Sequence, residues 1–383
     1  MRDQRVLVRE DLNVPFSDGR VADDTRVNAA LPTLRYLRER GARTIILSHL
    51  GRPDGKPNPR LSLRPLAEIL SERLGTPVAF AQDCIGRPAQ IAVERLRDGD
   101  ILLLENVRFH AGEERNDPAF AGELARLGDL YVNDAFGTAH RAHASTEGLA
   151  HLLPSAAGLL MEAELHALCR LVDHPAKPYV CIIGGAKVKD KVGVFFNLID
   201  RVDAFCIGGG MANTFLAAQG KNVGRSLRDP DLGPAKSILE YAAGRSADLH
   251  LPTDVVAAPS FDAQSQAQNV PLAALGERMI LDIGEQTARD FAAQIEPART
   301  IVFNGPMGVY EKKAFQNGTR AVGEAIGRAT ARGAFSVVGG GDAAAAAHEL
   351  GFASQVSHLS TGGGATLEFL EGKTLPGIAA LCA

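Results

Sequence analysis

Short apolar, β-branched runs alternate with longer stretches of helical periodicity along the whole chain. In the first half the runs predict strands over residues 5–9, 43–48, 78–81, 100–104 and 130–133, with helices over 26–40 and 66–74 between them. The second half repeats the rhythm at residues 179–183, 204–207, 248–251, 279–281, 300–303, 335–338 and 355–358. Continuous apolar runs separated by helical patterns predict parallel sheets covered by helices on both faces. The fold class expected is α/β.

A chain of 383 residues exceeds what one core usually supports. The division is expected near Pro154. From Ala156 to about Val172 the segment AAGLLMEAELHALCRLV reads as one long helix, stopped by the prolines of HPAKP. This predicts a first lobe over 1–155, a connecting helix over 156–172 and a second lobe over 173–370.

Glycine comes in clusters, and each cluster follows a predicted strand. Gly184-Gly185 follows CII, Gly208-Gly209-Gly210 follows FCI, and Gly339-Gly340-Gly341 follows SVV. Parallel α/β sheets bind ligands at their carboxyl edge, where helices begin. Glycine there lets the backbone approach a phosphate or a base, and the helix N-terminus offers unpaired N–H groups and about half a positive charge. One such turn reads equally well as tight packing; three at one edge predict a nucleotide seat. The sequence has no GxxxxGK(S/T) loop and no GxGxxG accompanied by HRD or DFG, so the phosphate grip is built differently. Lys187 and Lys191 in GGAKVKDK are four apart, which predicts one face of a helix beginning there, within reach of phosphate oxygens. Elsewhere such a pair would be solvated surface lysines. Asp342, closing GGGD, is placed to N-cap a helix or to hold Mg²⁺ between two phosphates. Glu311, after NGPMGVY, is suited to accept hydrogen bonds from ribose hydroxyls, although alone it would be an ordinary surface glutamate.

The first half offers basic and polar residues beyond its strands instead. They are Asp11 and Asn13 in DLNVP, Arg26 in DDTRV, His49 and Arg52 in SHLGRP, Arg108 in ENVRFH and Arg141 in TAHRAHAS. Guanidinium groups bind phosphate and carboxylate through paired hydrogen bonds and stay charged at any working pH. A single arginine of this kind is usually a surface ion pair; four at strand-end loops predict a small ligand with several negative charges. His49, His140 and His143 lack an HxxEH-like metal spacing and are expected to hydrogen-bond the anion. Asp11 is expected to orient its neighbours.

Composition removes other classes. A net charge of -4 leaves no basic surplus to displace counterions from a nucleic acid. Five scattered cysteines without a CxxC pair predict neither a disulfide framework nor a zinc site, and Cys181 and Cys206 lie in apolar runs as small hydrophobes. The N-terminus has no signal-peptide core, and no run approaches the roughly 18 to 20 apolar residues of a membrane span. A reducing, cytoplasmic location with no membrane partner is expected.

Taken together, the motifs resemble the phosphoglycerate kinase family over essentially the whole chain. The resemblance is carried by DLNVP (11–15), SHLGRP (48–53), LLENVRFH (103–110), NDAFGTAHRAHAS (133–145) and GGAKVKDK (184–191). It continues through GGGMANTF (208–215), LPTDVV (251–256), NGPMGVYE (304–311), GGGD (339–342) and STGGGATLEFLEGK (360–373). It implies two Rossmann-like lobes joined by the long helix, with residues 371–383 returning to the first lobe. It also implies a monomer that moves a phosphoryl group between ATP/ADP and 3-phosphoglycerate/1,3-bisphosphoglycerate with Mg²⁺. By that resemblance Asp11, Leu12, Asn13, Arg26, His49, Leu50, Gly51, Arg52, Arg108 and Arg141 hold the substrate. Gly185, Lys187, Lys191, Gly209, Leu281, Asn304, Pro306, Glu311, Gly340, Gly341, Asp342 and Ala343 hold the nucleotide, with Asp342 on the metal and Arg26, Lys187 and Lys191 catalytic. The acceptor is then a carboxylate, already ionised, so no general base is needed and catalysis is positioning and charge neutralisation. Donor and acceptor on separate lobes imply closure that excludes water.

Three positions depart from the family's usual pattern. Ala343 stands where Thr or Ser is typical, which removes a hydroxyl from the expected phosphate contacts. Phe303 replaces a common tryptophan, and Asn213 stands where an aromatic is more usual, a change for which the sequence supplies no physical account. The rival readings are a kinase for another small phosphorylated acid and a nucleotide-binding protein without turnover.

Overall fold

The computed structural model describes residues 1–17 and 20–382. The chain divides into two compact units, Met1–Leu165 with Thr374–Ala383, and His166–Lys373.

The first unit contains β1 (Arg5–Arg9), β2 (Phe16–Ser17), β3 (Arg20–Val21), β4 (Arg43–Leu47), β5 (Val78–Phe80), β6 (Ile101–Leu103), β7 (Leu130–Asn133) and β8 (Ser155–Ala157). Except for the small β2–β3 hairpin, these form one parallel sheet of order β5-β6-β4-β1-β7-β8. Helices α1 (Thr25–Glu39), α2 (Arg64–Leu74), α3 (Gly86–Glu94) and α4 (Pro118–Ala125) connect the strands. The sheet buries both faces. Val6, Val8, Ile46, Ile101 and Leu103 pack into one core, and the alternate residues Leu7, Ile45, Leu47 and Leu102 pack into the other. A period of two sends successive side chains to opposite faces, so an apolar run covered on both sides needs no polar positions. Each fully buried Val, Leu or Ile contributes roughly 1.5–3 kcal/mol of transfer free energy, which is what holds such short strands in register.

The helix predicted to start at Ala156 begins later, as α5 (Leu159–Val172). Residues 155–157 pair with Tyr131, Val132 and Asn133 as the edge strand β8. Sheet pairing overrides the helix propensity of the two alanines. The division between the units falls within α5, between Leu165 and His166. At the other end of the chain, the Gly377 amide donates to the Ala139 carbonyl at 2.9 Å, and Asn133 Nδ2 donates to the Gly377 carbonyl at 3.2 Å. Ala380 packs into a core of the first unit.

The second unit continues with β9 (Tyr179–Ile183), β10 (Ala204–Ile207), β11 (Asp248–His250), β12 (Asp254–Ala258), β13 (Gln268–Pro271), β14 (Met279–Ile283), β15 (Thr300–Asn304), β16 (Phe335–Val338) and β17 (His358–Leu359). A parallel sheet has the order β11-β10-β9-β15-β16-β17, and an antiparallel sheet has the order β13-β12-β14. Helices α6 (Val192–Leu198), α7 (Gly209–Ala218), α8 (Gly233–Ala242), α9 (Glu285–Ile295), α10 (Asn317–Ala331) and α11 (Gly341–Glu349) follow the strands. Strand expectations shift most at two places. The run at 279–281 extends to Ile283 but joins the antiparallel sheet through β12, and the last strand is His358–Leu359 rather than 355–358. Residues 353–355 form a 3₁₀ turn instead. Cys181 and Cys206 are fully buried and unoxidised. Among the described residues no helix is long and apolar enough to cross a membrane.

Candidate active site

In the first unit the strand-end residues gather at the carboxyl edge of the parallel sheet. Asp11 and Asn13 follow β1, His49 and Arg52 follow β4, Arg108 follows β6, and Arg141 follows β7. Arg26 lies in the first turn of α1 and donates from Nη1 to Asp11 Oδ1 at 3.1 Å and to the Asn13 carbonyl at 2.9 Å. Asp11 also accepts from the Asn13 amide at 3.2 Å, and Asn13 Oδ1 accepts from the Gly51 amide at 2.8 Å. Asp11 thus holds the loop and the Arg26 guanidinium. Arg108 is buried and donates to the Gly51 carbonyl at 2.9 Å, yet its Nη2 has no hydrogen-bond partner among the described residues. Arg52 is exposed and Arg141 half-buried, with Arg141 Nε 3.2 Å from His140 Nε2.

The cluster is crowded with cations, although Asp11 pairs with Arg26 and Glu114 lies 3.2 Å from Arg108 Nε. Burial, followed by the nearby Arg9 charge, lowers the Arg108 pKa to about 10. His49 is held well below its ordinary value, first by burial and then by Arg9, Arg108, Arg26 and Arg141. His143 is lowered to about 3, again by burial first and then by Arg108, Arg9 and Arg141. Both imidazoles are therefore neutral and offer hydrogen bonds rather than charge. Cations pressed together while losing water are unfavourable unless an anion joins them.

Arg9 is the residue that sequence reasoning missed here. It ends β1, is fully buried, and donates to Ser145 Oγ at 2.7 Å, to His49 Nδ1 at 3.2 Å and to the Glu10 carbonyl. The available signal was an arginine closing an otherwise apolar strand, a place where a guanidinium survives only with partners.

In the second unit a pocket of about 330 Å³ opens beside the glycine turns. Gly185, Gly209, Leu281, Pro306, Glu311 and Asp342 all line it, as do Asn213, Leu227, Phe261 and Tyr310, which were not expected there. Gly209 shows why glycine is required: its φ is +63°, and a Cβ would stand 2.8 Å from the backbone nitrogen and oxygen of Gly185. Gly208 and Gly340 occupy the N-cap positions of α7 and α11, so two of the three glycine clusters open helices.

The lysine pair is arranged differently from expectation. Residues 187–191 are not helical, and Lys191 is the N-cap of α6 rather than a residue within it. Lys187 is exposed, whereas Lys191 turns inward, its Nζ donating to the Gly184 carbonyl at 2.7 Å and the Asn304 carbonyl at 2.8 Å. Two carbonyl partners satisfy two of the three ammonium donors at once, which outweighs continuing a helix through GGAKVKDK. Burial lowers the Lys191 pKa to about 8. Asp342 does not cap its helix. It lies in the first turn of α11 behind Gly340 and is exposed at the pocket. Asn304 is buried, tying Gly339 through Nδ2 at 2.8 Å, and Ala343 is buried within the core that includes Phe303 and Met307. Lys187, Lys191, Asn304, Gly340, Gly341 and Ala343 do not line the pocket wall.

A basic anion seat and a glycine-walled pocket, each at the carboxyl edge of its own parallel sheet, define an α/β protein of the phosphate-handling class. The sequence profile described as phosphoglycerate kinase matches residues 1–373, and the chain belongs to that family. It is similar to the phosphoglycerate kinase of Chloroflexus aurantiacus, at 54% identity covering 99% of this chain and 96% of the relative. It is also similar to that of Moorella thermoacetica, at 52% identity covering 100% and 97%. Among solved structures it resembles the phosphoglycerate kinase from Coxiella burnetii, with a TM-score of 0.90 and 43% identity over 100% of this chain and 96% of that one. The enzyme from Pyrococcus horikoshii OT3 gives 0.87 and 34% over the same shares.

Proposed function

We propose that this chain transfers a phosphoryl group reversibly between ATP and the carboxylate of 3-phosphoglycerate, giving ADP and 1,3-bisphosphoglycerate. The observation that carries the reading is the first unit's cluster of Arg9, Arg26, Arg108 and Arg141 around a neutral His49, with Arg108 Nη2 left unpartnered. Such a cluster calls for a small polyanion, and the family membership says which.

Asp11, Asn13, Arg26, His49, Arg52, Arg108 and Arg141 hold 3-phosphoglycerate, with Leu12, Leu50 and Gly51 shaping the seat. Gly185, Gly209, Leu281, Pro306 and Glu311 surround the nucleotide, and Asn304, Gly340, Gly341 and Ala343 support the turn beneath its phosphates. The acceptor carboxylate is ionised at neutral pH, so the neutral histidines need take no proton. Arg26 and Lys191 neutralise the transferring group, and Lys187 reaches in from the exposed turn. Lys191 has two N–H groups fixed on carbonyls, which leaves its third for a phosphate oxygen.

Asp342 fits a magnesium site: an exposed carboxylate, a hard oxygen donor, on the wall of the nucleotide pocket. When bound, Mg²⁺ neutralises charge on the nucleotide's phosphates. Seats on separate units require the two to meet during turnover, which excludes water from the acyl phosphate. Five free cysteines fit a reducing, cytoplasmic setting, and the family carries the expectation of a monomer.

An ADP-release assay with 3-phosphoglycerate and MgATP tests the reading. Turnover is expected. Absence of turnover with ATP binding intact defeats it, and turnover only with another phosphorylated acid transfers it to a different kinase.

A further inference from the structure

Glycine, proline and aliphatic side chains make up much of the nucleotide pocket and grip the faces of any purine alike. Asn213 differs. It lies on α7, lines the pocket and is 2% exposed. Its Nδ2 donates to the Leu227 carbonyl at 3.0 Å, while its Oδ1 is buried with no hydrogen-bond partner among the described residues. Turning the amide over would set oxygen against the Leu227 carbonyl oxygen and leave that carbonyl unpaired. The side chain is therefore fixed as an acceptor. A buried acceptor without a partner favours the ligand that supplies a donor. The same hydrogen bond ties down Leu227, which with Phe261 forms part of the pocket lining although the two are 58% and 44% exposed. These are large apolar side chains left open to solvent beside a pocket, suited to cover a flat ring.

We propose that Asn213 selects the base: its Oδ1 accepts a hydrogen bond from the exocyclic amino group of a 6-aminopurine and disfavours a 6-oxopurine, whose carbonyl would meet it acceptor to acceptor. The inference rests on the reading of this pocket as the ATP seat and goes further by naming the side chain that discriminates the base. It also gives a physical role to the asparagine that the sequence left unexplained.

ATP and ITP carry the same ribose and phosphates and differ at C6 of the base, amino in one and oxo in the other. Initial rates of the full-length protein with 3-phosphoglycerate and each magnesium nucleotide read the selection directly. The expected kcat/KM for ATP exceeds that for ITP by about 10-fold or more. Asn213→Leu, similar in shape but without the amide, should bring the two within about 3-fold, mainly by weakening ATP. Equal use of ATP and ITP by the unaltered protein overturns the proposal without any variant. So does a preference for ATP that survives in Asn213→Leu. Turnover of neither nucleotide defeats the kinase reading instead, and competition binding of ATP against ITP then measures the same preference.

Discussion

The Lys191 ammonium donates to the carbonyl oxygen of Asn304 across 2.8 Å, joining the start of α6 to the end of β15, 113 residues apart in the chain. Together with its bond to Gly184, this contact fixes a half-buried cation at the end of the second unit's sheet. Burial lowers its pKa to about 8, so the charged form dominates at neutral pH and is lost as pH rises. The kcat/KM for ATP, which reports groups on the free protein, should therefore fall as pH rises through about 8, approaching about 10-fold per unit above it. Lys191→Met should lower kcat/KM by about 100-fold or more at pH 7. In Lys191→Arg the alkaline limb should vanish, because a guanidinium does not deprotonate in this range. An unchanged limb in that variant would assign it to another group.

Arg26 is held by Asp11 and by the Asn13 carbonyl while its side chain stays 32% exposed, so it is aimed without being consumed. As a group that neutralises the transferring phosphoryl, it matters more in the transition state than in the ground state. Arg26→Ala should reduce kcat by about 100- to 1,000-fold while leaving ATP affinity within about 2-fold. Equal losses in kcat and in nucleotide binding, the latter measured by titration, would remove it from the catalytic role.

Much of this was legible in the sequence because parallel sheets write themselves as apolar runs. Residues 5–9, 130–133, 179–183, 204–207 and 335–338 were read with the bounds the structure gives them. The antiparallel β12 and β13 were not, since Asp254, Gln268 and Asn269 interrupt their patterns and the strands are defined by partners elsewhere in the chain. Charged residues at strand ends were readable as an anion seat. Arg9 was not, because a buried arginine is recognised by what surrounds it, and Ser145 lies 136 residues away. The lysine spacing of four suggested a helix, yet the carbonyls of Gly184 and Asn304 decided the conformation.

His49 is neutral in the folded protein, with Nδ1 at 3.2 Å from Arg9 Nη2. Its folded pKa lies well below the ordinary 6.5, so the unfolded chain takes up a proton there that the folded protein does not. The unfolded state thus binds more protons below pH 6.5, and stability falls as pH drops from that value. The contribution from His49 is about 1.4 kcal/mol per pH unit in that window. His49→Asn, whose amide oxygen can accept from Arg9 but does not titrate, should lose this part of the acid sensitivity. Denaturant unfolding at pH 6.5 and pH 5 for both proteins measures it, and identical slopes would show that His49 is not its source.

Asp282 shows the opposite sign. It is almost fully buried at the end of β14, and accepts the Gly318 amide at 2.7 Å and the Ile283 amide at 2.9 Å. A Cβ on Gly308 would stand 2.3 Å from its carboxylate, so the pocket loop is packed against it. Burial raises its pKa from 3.8 to about 8 despite both hydrogen bonds. Between those values the folded protein keeps a proton that the unfolded chain has released, so stability is greatest below about pH 4 and declines as pH rises toward 8. Asp282→Asn, which keeps one acceptor oxygen for the two amides and never ionises, should gain stability relative to the unaltered protein as pH rises from 5 to 8, by up to about 1.4 kcal/mol per pH unit. That gain corresponds to a rise in Tm of roughly 2–4 °C per kcal/mol. The difference should be smallest below about pH 4, where the carboxyl is protonated in the folded and the unfolded chain alike. Asp282→Ala, which accepts from neither amide, should be about 2 kcal/mol less stable than Asp282→Asn at both pH values, since neither variant titrates there. Thermal melts of the three proteins at pH 5 and pH 8 separate these outcomes, and an Asp282→Asn gain of equal size at both would mean that the folded carboxyl is already ionised at pH 5.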